Sequence, residues 1–222
     1  MGRRVIVGSG KVGRPRLSRS TLTAAGRHLL HALMLEQDMY KLDDPRALIA
    51  AYGWALLVSD GGPVVSHLPV IPDPASEGPA VIGHLARTDA ELHRLGERRV
   101  VIVVQGPHGY ISPTLYQTGP YVPTWNFVTV HLHGTPELLG PDETYQALSD
   151  TVDHFEAGGG FKLADVAGYA HRLAPAVTAF RLVPDRVVGK AKLSQDKPAE
   201  IVERVIDGLD DPALAAAMRA HV

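Results

Sequence analysis

Cysteine is absent from the 222-residue chain, which excludes disulfides, thiolate nucleophiles and thiolate metal ligands. The absence fits a reducing compartment, and a cytoplasmic protein is expected. No window approaches about 18 uninterrupted apolar residues, so no membrane-spanning helix is predicted. The apolar patch Leu29 to Leu35 is short, is broken by His31 and lacks a small-residue cleavage site, so it does not read as a secretory signal. A phosphate-cradling glycine loop is missing as well: GSGKVG at 8–13 has the wrong spacing and no strand before it. Acidic residues are missing from positions 1–35, which hold seven basic ones (Arg3, Arg4, Lys11, Arg14, Arg16, Arg19, Arg27). The remainder then carries 15 basic and 24 acidic residues, a net of −9, which argues against phosphate-backbone binding by the folded body. His131-x-His133 puts two imidazoles on one face of a strand, but no third ligand is near in sequence, and no metal is expected. No Ser/His/Asp triad can be argued from spacing.

Residues 1–20 are Gly, Ser and Arg with little apolar content, and read as a basic, loosely attached extension. Gly13-Arg14-Pro15-Arg16 resembles the core of an AT-hook, although a plain basic tail explains it as well. Thr21 to Leu35 has the pattern of an amphipathic helix, so residues 1–35 form one segment and 36–222 the folded domain. Asp44-Pro45 starts a helix with an N-cap and a proline at the first helical position. Strands are predicted over Trp54–Ser59, Pro63–Val70, Ala80–Leu85, Arg99–Gln105, Pro123–Gly134, Ala176–Val183 and Val187–Leu193. Asp60-Gly61-Gly62 is a hairpin signal. Helices are predicted from Asp89 with Thr88 as cap, from Pro141 to about Glu156, over Leu163–Leu173, and over Ala199–Gly208 and Pro212–His221. Short strands at close spacing with turn signals indicate a barrel with peripheral helices, an α+β fold.

Between the strands ending at Gln105 and starting at Pro123 lies a polar, ring-rich stretch, read as a long functional loop. It carries His108, Tyr110, Ser112 and Tyr116 among Gly106, Pro107, Gly109 and Pro113. Three further clusters sit at strand ends: Ser66-His67-Leu68-Pro69, Gly83-His84-Leu85-Ala86-Arg87 and Lys192-Leu193-Ser194-Gln195. His84 and Arg87 can meet an anionic group, Arg87 with a planar fork of donors. Tyr110 and Trp125 can border a flat ring. Each cluster alone is as well explained by core or turn packing. Together they suggest a site for a phosphorylated, aromatic small molecule.

The motifs SHLPV (66–70), GHLAR (83–87), QGPHGYISPTLY (105–116), VPTWNFVTVHLHG (122–134) and KLSQD (192–196) occur in an order that resembles the PaiB-like family, described as FMN-binding negative transcriptional regulators. The resemblance covers roughly residues 40–208. It implies an FMN-binding split β-barrel of about six or seven mainly antiparallel strands, a homodimer, and FMN held at the subunit interface. By the same analogy Ser66, His67, His84, Arg87, Thr88, His108, Tyr110, Thr124, Trp125, Asn126, Lys192, Ser194 and Gln195 are the candidate FMN contacts, with the phosphate near His84 and Arg87. Departures from the family pattern are TDAEL after Arg87, Leu115 where tryptophan is usual, and Asp196 where asparagine is usual. A negative charge at Asp196 weakens anion binding if it faces the site. The functions implied are a transcriptional regulator, a flavin-dependent oxidoreductase of unknown substrate with His108 and Tyr110 as proton donors, or a flavin-free sensing dimer. Direct DNA contact would have to rest on residues 1–20.

Overall fold

A computed structural model describes Met34, residues 36–62 and residues 64–221. The basic extension and its expected helix over Thr21–Leu35 lie outside the described residues, Met34 excepted.

Eight antiparallel strands form one curled sheet in the order β6-β7-β3-β2-β1-β4-β5-β8. They are β1 (Trp54–Ser59), β2 (Val64–Pro72), β3 (Val81–Ala86), β4 (Val100–Ile111), β5 (Thr124–Gly134), β6 (Glu137–Leu138), β7 (Val177–Leu182) and β8 (Arg186–Lys192). Strand β2 is long enough to serve both halves: residues 64–69 pair with β1, and Val70 to Pro72 pair with β3. The two halves thereby fold over one core, as in a split barrel. The count exceeds the six or seven strands expected because the two-residue β6 carries no sequence signal.

Alternate residues point inward, as the pleat requires. Leu57, Leu68, Ile102, Val104, Val130, Leu132 and Phe180 are fully or almost fully buried in the centre. Among the described residues, seven α-helices surround the sheet: α1 (Pro45–Ala51), α2 (Arg87–His93), α3 (Pro113–Tyr116), α4 (Pro141–Phe155), α5 (Ala167–Leu173), α6 (Ala199–Asp207) and α7 (Pro212–Arg219). Asp44 caps α1, its carboxylate accepting from Ala47 N at 2.9 Å. Helices α6 and α7 bury Ile201, Val205, Leu214 and Met218 against the barrel, as their apolar spacing predicts. On the outer side of the other half, Ala147 of α4 packs with Ile71, Ile82 and Ala179.

Two local readings are corrected. The stretch after Gln105 is not a long loop. Strand β4 runs on to Ile111, and a bulge between Gln105 and His108 absorbs Gly106 and Pro107. The glycines mark close approaches: a Cβ on Gly106 would lie 2.6 Å from Leu48, and one on Gly109 would lie 2.8 Å from Leu214. Nor does Thr88 cap the helix that follows. Helix α2 begins two residues earlier than expected, at Arg87, with Ala86 at its N-cap and no side-chain cap.

Candidate functional site

The strand registers place the polar residues of the motifs. On the outer face, His67 lies opposite Leu56, Leu56 opposite Val103, Val103 opposite His131 and His131 opposite Val188. Further along, His108 lies opposite Phe127 and Phe127 opposite Lys192, and beyond them Tyr110 lies opposite Trp125. Five of the thirteen candidates, His67, His108, Tyr110, Trp125 and Lys192, therefore share the outer face of β2-β1-β4-β5-β8.

That face is rich in exposed rings. Trp54 is 64% exposed, Trp125 55% and Tyr110 52%. Trp54 stands nearly parallel to the His67 ring, centroids 6.2 Å apart, and Tyr110 meets Trp125 edge-on at the same separation. Trp54, Leu56, His67, Val103, Gln105 and His108 line a groove of about 390 Å³. His108 Nδ1 lies 3.0 Å from Gly106 O. A carbonyl only accepts, so Nδ1 carries the proton and the neutral ring has its lone pair on Nε2. Trp54 and Gln105 were not among the expected contacts. Their signal was present in the outward register of β1 and β4, but only a known pairing makes it legible.

At one end of this face, a smaller cleft of about 250 Å³ is lined by Tyr116, Tyr121, Thr124, Lys192, Asp196 and Lys197, among others. Lys192 Nζ donates to Thr124 Oγ1 and to Trp125 O, the latter at 2.9 Å. Desolvation leads the causes that lower the Lys192 pKa. Asp196 does line this cleft, but it pairs with Lys197, whose pKa its hydrogen bond raises. Its charge is thus balanced locally.

Ser194 and Gln195 shape the turn. Gln195 Oε1 accepts from Leu193 N at 2.7 Å and its Nε2 donates to Ala191 O at 2.6 Å. Ser194, with φ of 72°, is 2% exposed and receives a 2.9 Å hydrogen bond from Asn126 Nδ2. Asn126 is wholly buried, and Met218 Sδ lies 3.4 Å from the same nitrogen. This lock holds Lys192 beside the start of β5.

The remaining four candidates lie elsewhere. Ser66 binds His93 of α2, Oγ to Nε2 2.9 Å. Thr88 is exposed on α2. His84, on the outer side of β3, lines an apolar cavity of about 570 Å³ beneath α4 and α5. Arg87 lines a neighbouring cavity of about 380 Å³, its Nε donating to Pro175 O at 2.7 Å. The two cavities share Ala174 and Val177, so His84 and Arg87 sit side by side but do not face one space. Burial lowers the His84 pKa, which favours a neutral ring over a partner for a phosphate. Among the described residues no group of three His, Cys, Asp or Glu side chains could hold a metal ion.

The family profile described as "Putative FMN-binding domain" matches residues 35–186. The chain belongs to this FMN-binding family. Its PaiB-like character agrees with a relative in Bacillus subtilis, "Protease synthase and sporulation protein PAI 2", 25% identical over 170 residues that span 72% of this chain and 79% of that one. A yeast relative, "Uncharacterized protein YKL070W" of Saccharomyces cerevisiae, is 33% identical over 44% of this chain and 62% of its own length. Among solved structures, the conserved hypothetical protein Rv2991 of Mycobacterium tuberculosis superposes with a TM-score of 0.55 at 9% identity, over 74% of this chain and 94% of that one. That likeness concerns the fold alone. For this member of the FMN-binding family, the profile covers β1 to β7 and ends at Arg186, so it includes Tyr116, Tyr121 and Thr124 of the cleft but stops short of Lys192, Asp196 and Lys197.

Proposed function

We propose that the protein binds FMN between two copies of the chain, on the outer face of β2-β1-β4-β5-β8, and acts as a PaiB-type regulator whose state follows flavin occupancy. The observation that carries this is the row of exposed rings, Trp54, Tyr110 and Trp125, set among His67, His108 and Lys192 on one sheet face. Flat rings suit a flat isoalloxazine, and large exposed apolar surface is characteristic of an interaction face. When bound, FMN supplies hydride and electron-transfer chemistry. Around it, Trp54 and Trp125 exclude water, and His108 presents an Nε2 acceptor held by the bond to Gly106. The phosphate needs a cation, and Lys192, at the end of the same face, is the candidate. Regulation proceeds without DNA contact by residues 36–222, which are net acidic.

The decisive measurement is the visible spectrum of the protein as purified, before FMN is added. A flavin spectrum is expected, and colourless protein that also fails to bind added FMN overturns the reading. Both tryptophans of the chain flank the site, so FMN should quench most of their emission. Lys192→Ala, titrated at low and high salt, should lose the salt dependence of FMN affinity, whereas Arg87→Ala, away from this face, should keep it. A second reading, a flavin-dependent oxidoreductase, is favoured by the fixed tautomer of His108. Bleaching of the flavin by reduced nicotinamide, slowed in His108→Ala, would favour it.

A further inference from the structure

The cavity that His84 lines is unlike the ring-bearing sheet face. It lies between the outer side of β3 and β7 and helices α4 and α5. At about 570 Å³ it falls within the roughly 300–1,000 Å³ of small-molecule sites. Leu148, Val152, Phe155, Phe161, Tyr169 and Leu173 form its walls. Phe155, Phe161, Tyr169 and Leu173 remain 44–58% exposed, a concentration of apolar surface that a solvated helix pair does not need. The walls are held in place from outside. Lys162 pairs with Asp153 at 2.8 Å, Lys162 N donates to Asp165 at 3.1 Å, and Tyr145 stacks on His171 with centroids 4.0 Å apart.

Of the polar side chains at its walls, Thr151 donates to Ala147 O and Tyr169 is largely exposed, which leaves His84 and Glu156 to decide what fits. Burial favours the neutral imidazole. His84 Nδ1 is buried with no hydrogen-bond partner, which leaves Nε2 as the ring nitrogen for a ligand. A buried, unmet N–H is the rarer arrangement, so the proton belongs on Nε2 and the cavity offers a donor. Glu156, at the cavity wall, disfavours anions.

We propose that this cavity is a second small-molecule site, for an uncharged aromatic compound bearing a carbonyl or similar acceptor oxygen that His84 Nε2 meets. The site is separate from the flavin face and does not depend on FMN being bound. The test uses prodan, an uncharged naphthalene ketone whose emission moves to the blue in apolar surroundings. Full-length protein should bind it saturably, one per chain, with an affinity unchanged by saturating FMN. Leu148→Trp fills the cavity and should weaken binding at least tenfold without changing the sedimentation coefficient. His84→Phe keeps the ring and removes the donor, and should weaken binding about tenfold. Phe161→Ser, at an exposed position where folding is little affected, should weaken it severalfold. Binding that does not saturate, that is indifferent to all three variants, or that FMN displaces would overturn the proposal. So would a Leu148→Trp variant that changes oligomeric state, because a second copy would then be the occupant.

Discussion

Asn126→Ala is the sharpest test of how the candidate site is held. The Asn126 amide is wholly buried and donates to Ser194 Oγ at 2.9 Å, with Met218 Sδ as its second neighbour. Truncation leaves the Ser194 hydroxyl buried without that partner, at about 1–3 kcal/mol. The void adds about 1 kcal/mol. A total of about 2–4 kcal/mol should lower Tm by roughly 5–15 °C in a domain of this size. Ser194→Ala should cost about 1–2 kcal/mol, since the Asn126 amide then keeps only the sulfur contact. The two changes act on one pair of side chains, Ser194 Oγ also donating to Asn126 Oδ1 at 3.3 Å, so the double variant should fall about 1 kcal/mol short of additivity. Urea unfolding of the four proteins measures all three quantities. A loss below about 0.5 kcal/mol for Asn126→Ala, or strict additivity, would refute the account of this pair as the lock between β5 and the turn after β8.

Gly83→Ala should destabilise by about 1–3 kcal/mol in thermal unfolding, because its Cβ would lie 2.7 Å from the ring of fully buried Phe180. Asp73 is 2% exposed, receives Arg181 Nε at 2.8 Å and accepts from Ala75 N. Asp73→Ala should cost about 1–3 kcal/mol in urea, since Arg181, still partly hydrated, and Ala75 N both lose their acceptor. His84, His93, His131 and His133 all have pKa values lowered chiefly by burial, so the unfolded chain binds more protons than the native one at mildly acidic pH. Their contribution is complete above the unfolded value of about 6.5 and is lost as pH falls through it toward the lowered native values. Urea midpoints should therefore drop between about pH 7.5 and 5.5, and a midpoint that rises on acidification would contradict the burial of these rings.

Most elements were legible because their apolar spacing matches their period, as in Trp54–Ser59 with alternate residues buried or in α6 with Ile201, Val202 and Val205 on one side. The continuation of β4 was not. Gly106, Pro107 and Gly109 read as loop residues, and the reason for the two glycines is the closeness of Leu48 and Leu214, which are distant in sequence. The neighbourhood of His84 and Arg87 suggested a shared ligand. The turn from β3 into α2 instead directs them into adjoining cavities. The Lys-Leu-Ser-Gln turn looked like three ligand groups, yet Ser194 and Gln195 spend their polar atoms on Asn126 and on the turn backbone. Hydrogen-bonding side chains announce themselves in a sequence, whereas their partners do not.

The last strand of the sheet has a further consequence. Outside β8, Leu42 N bonds to Gly189 O at 3.2 Å and Lys41 bridges Lys190, while β6, at the opposite margin, has only two residues. Among the described residues, Lys41 and Leu42 interrupt the longer border at Gly189 and Lys190, and lysines stand along it. Self-association by continuous strand addition is thereby disfavoured, and a broadside meeting of two copies is the easier route.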